Sequence, residues 1–281
     1  MLAQKIVKNN QKLYFYKNNN LRMDLEKKTI GLVLSGGGAK GIAHAGALQF
    51  LIEKNIFPDR IAGTSAGAIV AALYAIGKTP DEILAFFQSI YIFHWRHLTF
   101  KKAGLIDSES FRDNFYSIFQ DATLGDLMIP VQITATNMVR GRLKIFDSKT
   151  KIVDALIASS AFPGIISPYE INGETYSDGG ILNHFPSDVL YGQCETIIGI
   201  YVSPIQKIKA ADLNSIRAVT SRAFDIFSAN SDIQKFTVCD WIIKPEALSI
   251  YSTFETNKSK MKTIFDIGYE AAKNSYETLN L

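Results

Sequence analysis

One pentapeptide constrains the fold of this chain more than any other feature. Gly63-Thr64-Ser65-Ala66-Gly67 lies between the short apolar run Arg60-Ile61-Ala62 and a helix pattern of small residues over positions 66–76. A serine on a sharp strand-to-helix turn has a strained backbone, and side chains two residues away on either side would collide with the adjoining strand and helix. The spacing predicts a nucleophile elbow that exposes the Ser65 hydroxyl. A glycine-rich connection with an incidental serine is the alternative.

The segment ahead of the elbow predicts how the chain reaches it. Residues 29–35 form an apolar run typical of a buried strand, and Gly36-Gly37-Gly38-Ala39-Lys40-Gly41 then begins a helix pattern. Strand, glycine loop, helix, strand, elbow and helix make a βαβα unit, so the sheet should be largely parallel. Because the alternation continues, we predict a three-layer α/β fold around a mainly parallel sheet. Residues 1–28 would be an N-terminal extension and residues 29–281 a single domain.

The glycine loop also fits the G-x-G-x-x-G pattern of a dinucleotide site. That site needs an acidic residue at the end of the second strand, whereas Asp59 precedes this strand. A phosphate-binding P-loop is disfavoured because Ile42 follows Gly41 where Lys-Ser/Thr is required. The carboxyl ends of neighbouring parallel strands share one edge, so the N–H groups of Gly36, Gly37 and Gly38 are expected to form an oxyanion hole facing Ser65.

The serine hydroxyl also needs a base, and the sequence offers few histidines for that role. An α/β-hydrolase triad places its histidine late in the chain, but no histidine follows His184. Asp178 is the best-placed aspartate, because it follows a predicted hairpin with an Asn172-Gly173 turn and precedes two glycines. A carboxylate is a weak base at its ordinary pKa, so burial would have to raise the pKa of Asp178. A triad remains an open alternative.

Three separated segments together resemble one family. The glycine loop at 36–41, the pentapeptide at Ser65 and Asp178-Gly179-Gly180 are similar, in order and spacing, to the oxyanion loop, nucleophile elbow and catalytic aspartate loop of the patatin-like phospholipases. Ala158-Ser159-Ser160-Ala161-Phe162-Pro163 also resembles the family's segment ahead of its Asp-Gly motif, and the resemblance covers about residues 29–190. It implies a patatin-like fold and a Ser65/Asp178 dyad that forms an acyl-enzyme on Ser65. Gly37 and Gly38 would form the oxyanion hole, with Gly36 shaping the loop.

Two residues in the matched motifs have open roles. Lys40 stands where the family has arginine or lysine, which implies a side chain that orients the glycine loop or contacts a phosphate; a solvated lysine at a helix start is the alternative. The family commonly has Asn-x-Pro after its Asp-Gly motif, where this chain has His184-Phe185-Pro186. His184 either replaces a loop-supporting amide or modulates Asp178.

The sequence therefore predicts a serine hydrolase that cleaves carboxylic ester bonds of lipids, as a phospholipase A or lipid acyl hydrolase does, without a metal or cofactor. The expected partner is a lipid or phospholipid substrate. Two alternatives remain open: an acyltransferase that uses the same acyl-enzyme, and a non-catalytic lipid-binding module.

Composition narrows the other partners and the location. With 30 basic and 27 acidic residues the net charge is +3, so no nucleic acid is expected. Cys194 and Cys239 lack metal-ligand spacing, so we expect both to be reduced thiols. Residues 1–28 lack the apolar core of a signal peptide, so we expect a cytoplasmic protein. Aromatic and basic residues over 91–102 favour either peripheral contact with a membrane or a place in the core or a substrate lid.

Overall fold

The fold is organised around one sheet of eight strands, seen in a computed structural model that describes residues 28–93, 106–205 and 207–279. The strands are β1 (Ile30–Leu34), β2 (Arg60–Thr64), β3 (Val131–Asn137), β4 (Arg142–Ile145), β5 (Tyr169–Ile171), β6 (Glu174–Asp178), β7 (Thr196–Ile200) and β8 (Trp241–Ile243). They lie in the order β5-β6-β3-β2-β1-β7-β8, and β4 also pairs with β3.

The sheet is parallel through its centre and antiparallel at one end. Strand β1 pairs in parallel with β2 and β7, and the parallel pairs β2–β3 and β7–β8 extend it on either side. Strands β4, β5 and β6 are joined to the sheet by antiparallel pairs. The predicted α/β fold with a mainly parallel central sheet is therefore confirmed.

Helices connect and cover these strands. They are α1 (Ile42–Glu53), α2 (Ala66–Ala75), α3 (Pro80–Phe93), α4 (Arg112–Phe119), α5 (Ile152–Ser160), α6 (Ile216–Asp232) and α7 (Lys258–Leu279). Helix α3 begins as its sequence predicts, because the Glu82 N–H donates to Thr79 Oγ1 (3.2 Å) and the Thr79 N–H donates to Glu82 Oε2 (2.9 Å). No helix in the described part of the chain is both long enough and apolar enough to cross a bilayer.

The two faces of the sheet bury different sets of side chains. Along β1, Leu32 and Leu34 join the large core formed with the helices, whereas Val33 joins a smaller cluster on the opposite face. Side chains from the short 3-10 turns at Ser187–Val189 and Ile233–Val238 pack in that smaller cluster. Alternation with a period of two is what places successive residues of one strand on opposite faces.

Strand register brings the predicted motifs to one edge. Leu34 pairs with Gly63, and Thr64 pairs with Thr134, so the chain segments that follow β1 and β2 leave the sheet side by side. Asp178, at the end of β6, pairs with Ala135, the residue after Thr134. The sheet therefore places the glycine loop, Ser65 and Asp178 close together.

The β5–β6 hairpin delivers Asp178 through the predicted turn. Asn172 and Gly173 have φ angles of 52° and 77°, the positive values that a type I′ turn requires at both central positions.

Two sequence predictions concern segments outside the described residues. Residues 1–27 of the N-terminal extension and residues 94–105, which include most of the aromatic stretch, lie outside the described residues.

Helices α1 and α7 pack against each other through aromatic side chains. The Phe50 ring is buried and makes edge-to-face contacts with Tyr269 and Tyr276, with ring centroids 5.7 and 5.6 Å apart. These contacts fasten the last helix of the chain to the helix that follows the glycine loop.

We expect Phe50→Ala to lower the free energy of unfolding by about 3–5 kcal/mol, because it removes buried aromatic surface and leaves a cavity. Phe50→Leu is the matched control and should cost clearly less, since it retains much of the apolar volume. Urea denaturation followed by circular dichroism measures both variants. Equal stabilities of Phe50→Ala and the unmodified chain would contradict this packing argument.

Candidate active site

Ser65 lies on the predicted strained turn between β2 and α2. Its backbone angles are φ 54° and ψ −121°, which non-glycine residues seldom adopt. A Cβ added to Gly63 would lie 2.7 Å from the Gly67 carbonyl, and one added to Gly67 would lie 2.3 Å from the Leu34 carbonyl oxygen. Side chains at either flank would therefore collide with the backbone, as the spacing of the two glycines predicts.

Neighbouring strands and helices hold this turn in place. The Ser65 N–H donates to Ser159 Oγ on α5 at 2.8 Å. The Thr64 hydroxyl lies 2.6 Å from Thr134 Oγ1 and donates to the Asn183 carbonyl at 2.7 Å. Because Thr64, Thr134 and Ser159 are fully buried, these bonds are shielded from water and fix the backbone that carries Ser65.

Asp178 is buried beside Ser65. Its Oδ1 accepts the Gly180 N–H at 2.7 Å, and both Ser65 and the carboxylate line the same cavity. Burial raises the pKa of Asp178 from its ordinary value of 3.8 to about 6, and the Gly180 N–H, Ser65 and His184 oppose that rise. This upward shift has the direction that an aspartate base at this position requires. A carboxylate with this pKa is ionised at neutral pH and is a stronger base than an exposed aspartate.

The glycine loop runs along the other side of Ser65. The Gly36 N–H donates to the His184 carbonyl at 3.0 Å, whereas within the described residues the N–H groups of Gly37 and Gly38 have no protein acceptor. Gly38 has a φ of 56°, and a Cβ there would lie 2.3 Å from the Thr253 carbonyl oxygen, so glycine is required. That same carbonyl accepts the Ala39 N–H at 2.8 Å and so fastens the loop.

His184 lies between the glycine loop and a buried aspartate. Its Nδ1 is 2.8 Å from Asp232 Oδ2, and Asp232 Oδ1 accepts the Phe185 N–H at 3.2 Å. Since a carboxylate only accepts hydrogen bonds, Nδ1 carries a proton, and Nε2 faces the glycine loop. A Cβ added to Gly36 would lie 2.9 Å from that Nε2, which places the ring directly against the glycine loop.

Lys40 and His44 lie behind the loop and are both buried. Burial lowers the pKa of Lys40, and Asp225 opposes that change, so Lys40 is not the solvated helix-start lysine of the alternative interpretation. His44 Nε2 lies 2.9 Å from the Ser35 carbonyl, and burial lowers the pKa of His44 to about 4. His44 is therefore neutral at pH 7 and supports the strand end. The remaining two histidines, His94 and His97, lie outside the described residues.

An apolar cavity opens from these groups. Ser65, Asp178 and the three glycines of the loop lie along one part of its wall. The rest of the wall is mostly aliphatic and aromatic and comes from several helices and loops: Ile69, Phe86, Phe87, Ile90, Ile106, Phe111, Phe115, Phe162, Ile165, Ile166, Phe224 and Phe254. A wall of this composition suits a long apolar chain rather than a polar ligand.

A second cavity, of about 350 Å³, adjoins the first. It shares His184, Phe224 and Phe254 with the first cavity, but polar side chains, among them Lys40 and Arg222, form more of its wall. Within the described residues, no group of three or more histidine, cysteine, aspartate or glutamate side chains is arranged to hold a metal ion. Cys194 and Cys239 are not joined by a disulfide.

The structure brings together every residue that the sequence analysis placed at the site, and it adds three. Ser159, Asp232 and Thr253 hold the Ser65 backbone, the His184 ring and the glycine loop respectively. Ser159 falls within the segment 158–163 that resembles the family, but the resemblance implies no role for it. Asp232 and Thr253 lie in no local motif, so no sequence pattern indicates them.

Burial of the Asp178 carboxylate should make the folded chain less stable at high pH. Because the folded-state pKa lies above the ordinary value, the loss of folding stability from ionising Asp178 begins near pH 4 and is complete above pH 6. We expect Asp178→Asn to raise the free energy of unfolding by about 2–3 kcal/mol at pH 8 and by little at pH 4. Urea denaturation at the two pH values measures this. A gain that does not depend on pH would contradict the assignment.

Sequence comparison relates the chain to known proteins over most of the region that builds this site. The family model for patatin-like phospholipase matches residues 32–191. An uncharacterized NTE family protein of Mycobacterium tuberculosis is 30% identical over 215 residues, which are 72% of this chain and 59% of that protein. Lysophospholipase NTE1 of Saccharomyces cerevisiae is 31% identical over 200 residues, which are 66% of this chain and 12% of that protein. The chain thus spans only part of the length of these relatives.

Structural comparison shows the same fold at low sequence identity. VipD from Legionella pneumophila has a TM-score of 0.53 and 15% identity, with 90% of this chain and 67% of that chain covered. Human GIVD cytosolic phospholipase A2 has a TM-score of 0.51 and 10% identity, with 99% of this chain and 63% of that chain covered. The family match extends over more than half of the chain and includes the glycine loop, Ser65 and Asp178. The chain belongs to the patatin-like phospholipase family.

Proposed function

We propose that this chain hydrolyses carboxylic ester bonds of lipids through an acyl-enzyme on Ser65, with Asp178 as the base. The observation that carries the proposal is that Ser65, on its strained turn, and the buried carboxylate of Asp178 lie together at the wall of an apolar cavity. Membership of the patatin-like phospholipase family supports the same chemistry. The dyad uses no metal or cofactor.

In the acylation step, the Ser65 hydroxyl attacks the ester carbonyl while Asp178 accepts its proton. The carbonyl oxygen becomes an oxyanion, and the N–H groups of Gly37 and Gly38, which have no protein acceptor among the described residues, are placed to donate to it. Gly36 shapes the loop, since its own N–H is bonded to His184. The C–O bond to the alcohol then breaks, and Asp178 returns the proton to the departing oxygen. Ser65 is left as an acyl ester.

Deacylation repeats the sequence with water. Asp178 accepts a proton from a water molecule, whose oxygen attacks the acyl carbonyl, and the second oxyanion uses the same N–H donors. Collapse of the intermediate breaks the bond to Ser65 Oγ and releases the fatty acid. The proton then passes from Asp178 to Ser65, which restores the dyad.

The two cavities suggest how a lipid would be divided between them. The fatty acyl chain would enter the aliphatic and aromatic cavity at Ser65, where its burial supplies binding free energy. The more polar cavity beside Lys40 would receive the part of the lipid beyond the ester, with Lys40 either orienting the loop or contacting a phosphate. A cytoplasmic location with peripheral contact at a membrane would suit such a substrate.

Two other functions use the same site. An acyltransferase would pass the acyl group from Ser65 to an alcohol or a lysolipid in place of water, and product analysis with added acceptor separates it from a hydrolase. A non-catalytic lipid-binding module would bind lipid but leave Ser65 unlabelled by a fluorophosphonate probe. Human GIVD cytosolic phospholipase A2 binds such a compound, methyl γ-linolenyl fluorophosphonate, which recommends that class of probe.

We expect Ser65→Ala and Asp178→Asn each to lower hydrolysis of p-nitrophenyl acyl esters by on the order of a thousandfold or more, because each removes a group that acts only as part of the dyad. Ser65→Ala should also abolish fluorophosphonate labelling. Ser160→Ala is the matched control, since Ser160 lines the same cavity, and it should retain the label. Full esterase activity in a folded variant of either dyad residue would show that the dyad is wrong.

His184 is proposed to support the glycine loop and to modulate Asp178, which gives the pH profile a diagnostic form. Activity should fall below about pH 6 as Asp178 is protonated, in line with its pKa. Because His184 lowers the pKa of Asp178, His184→Asn should move this acid limb to higher pH while much of kcat remains. If the acid limb of His184→Asn does not move and kcat falls, His184 supports the glycine loop but does not modulate Asp178.

A further inference from the structure

Helix α6 presents two contrasting faces. Its inner face contributes Phe224 and Asp225 to both cavities, and Asp232 at its end holds His184. Its outer face carries Ile216, Phe227 and, just past the helix, Ile233, whose exposed fractions are 88%, 58% and 58%. The same helix therefore forms a wall of the site on one side and an apolar surface on the other.

Among the side chains that the structure describes, the outer face is a stripe without charge. Seven exposed positions of the helix follow the spacing of one face and are apolar or uncharged, whereas the exposed Asp225 lies on the opposite face. The seven are Ile216, Val219, Thr220, Ala223, Ile226, Phe227 and Asn230. A helix of 17 residues is about 25 Å long, so the stripe extends well beyond one or two scattered exposed residues. A helix that faces water normally carries charged side chains on its outer side.

Further exposed apolar side chains surround the mouth of the second cavity. Ser215, Ala218 and Ser249 line that cavity, and their chain neighbours Ile216, Val219 and Ile250 are exposed. Ile205, also exposed, belongs to the cavity wall itself. The apolar surface is thus continuous with the opening through which a ligand would reach the site.

We propose that the outer face of α6 docks on the surface of a lipid bilayer and holds the cavity mouth against it. This proposal rests on the proposed function, because a lipid hydrolase must draw its substrate out of a bilayer. An amphipathic helix with an uncharged apolar face lies in the interface with that face buried. The exposed lysines Lys207 and Lys209, just ahead of the helix, suit anionic headgroups, although Asp212 offsets part of their charge. A second copy of the chain on this face would instead obstruct the mouth that lipid must enter.

The experiment compares the full chain with its Ile216→Ser/Phe227→Ser double variant in vesicle flotation. The vesicles are phosphatidylcholine, with and without about a third of phosphatidylglycerol. We expect the double variant to bind at least tenfold more weakly, because two exposed apolar side chains lose their burial in the interface. Hydrolysis of a short, water-soluble p-nitrophenyl ester should be unchanged, since neither residue lines a cavity. Val139→Ser/Tyr191→Ser is the matched control, with both residues highly exposed but not on α6, and it should bind like the unmodified chain.

Several results would overturn the proposal. Failure of the unmodified chain to bind vesicles would do so, as would equal binding by the α6 variant. If light scattering shows that the α6 variant dissociates a dimer while vesicle binding is unchanged, the face is occupied by a second copy of the chain. Repeating flotation with Ser65→Ala tests vesicle binding without catalysis, and so separates the docking proposal from the proposed function. Vesicle binding that depends on α6 but is accompanied by no ester hydrolysis would refute the proposed function and leave the docking face intact.

Discussion

A carboxylate held out of water is the constraint around which this site is built. Asp178 is nearly fully buried, and its charge is balanced by the Gly180 N–H, the Ser65 side chain and the nearby His184. An unpaired buried carboxylate would be costly, so these partners must be held in place by the fold. The register that pairs Thr64 with Thr134 and Ala135 with Asp178 does this. The resulting pKa of about 6 makes a residue that is ordinarily a weak base useful near neutral pH.

The parts of the site that sequence reasoning predicted are those fixed by local sterics. The turn at Ser65 needs glycine at both flanks whatever surrounds it, and the Asn172-Gly173 turn follows from two positive φ angles. The parallel sheet then follows from the alternation of strands and helices, and with it the shared edge of the strand ends. The upward shift of the Asp178 pKa could be expected in direction, because an apolar setting raises the pKa of any carboxyl group.

What the sequence could not supply depends on contacts between distant segments. Asp232 is 48 residues from His184, and no spacing rule joins them. Thr253 acts through its backbone carbonyl, which any residue provides, so its identity carries no signal. Lys40 is polar and begins a helix, a pattern that also fits a solvated side chain; in the fold it is buried, and the nearby charge comes from Asp225 on α6, a distant segment. The acyl cavity likewise needs side chains from several separated elements, and no single segment indicates it.

Helix α6 shows how position can give meaning to a segment that composition left ordinary. In sequence it is one more amphipathic helix, and the aromatic stretch at 91–102 is the stronger signal for a membrane surface. In the fold, the polar side of α6 faces inward, where Asp232 accepts from His184 and Phe185, so its apolar side is left outward. This inverts the usual arrangement of a surface helix and follows from the site, because a buried histidine beside the glycine loop needs a buried carboxylate to fix its tautomer. The requirement that orients His184 thus also orients the apolar face of α6.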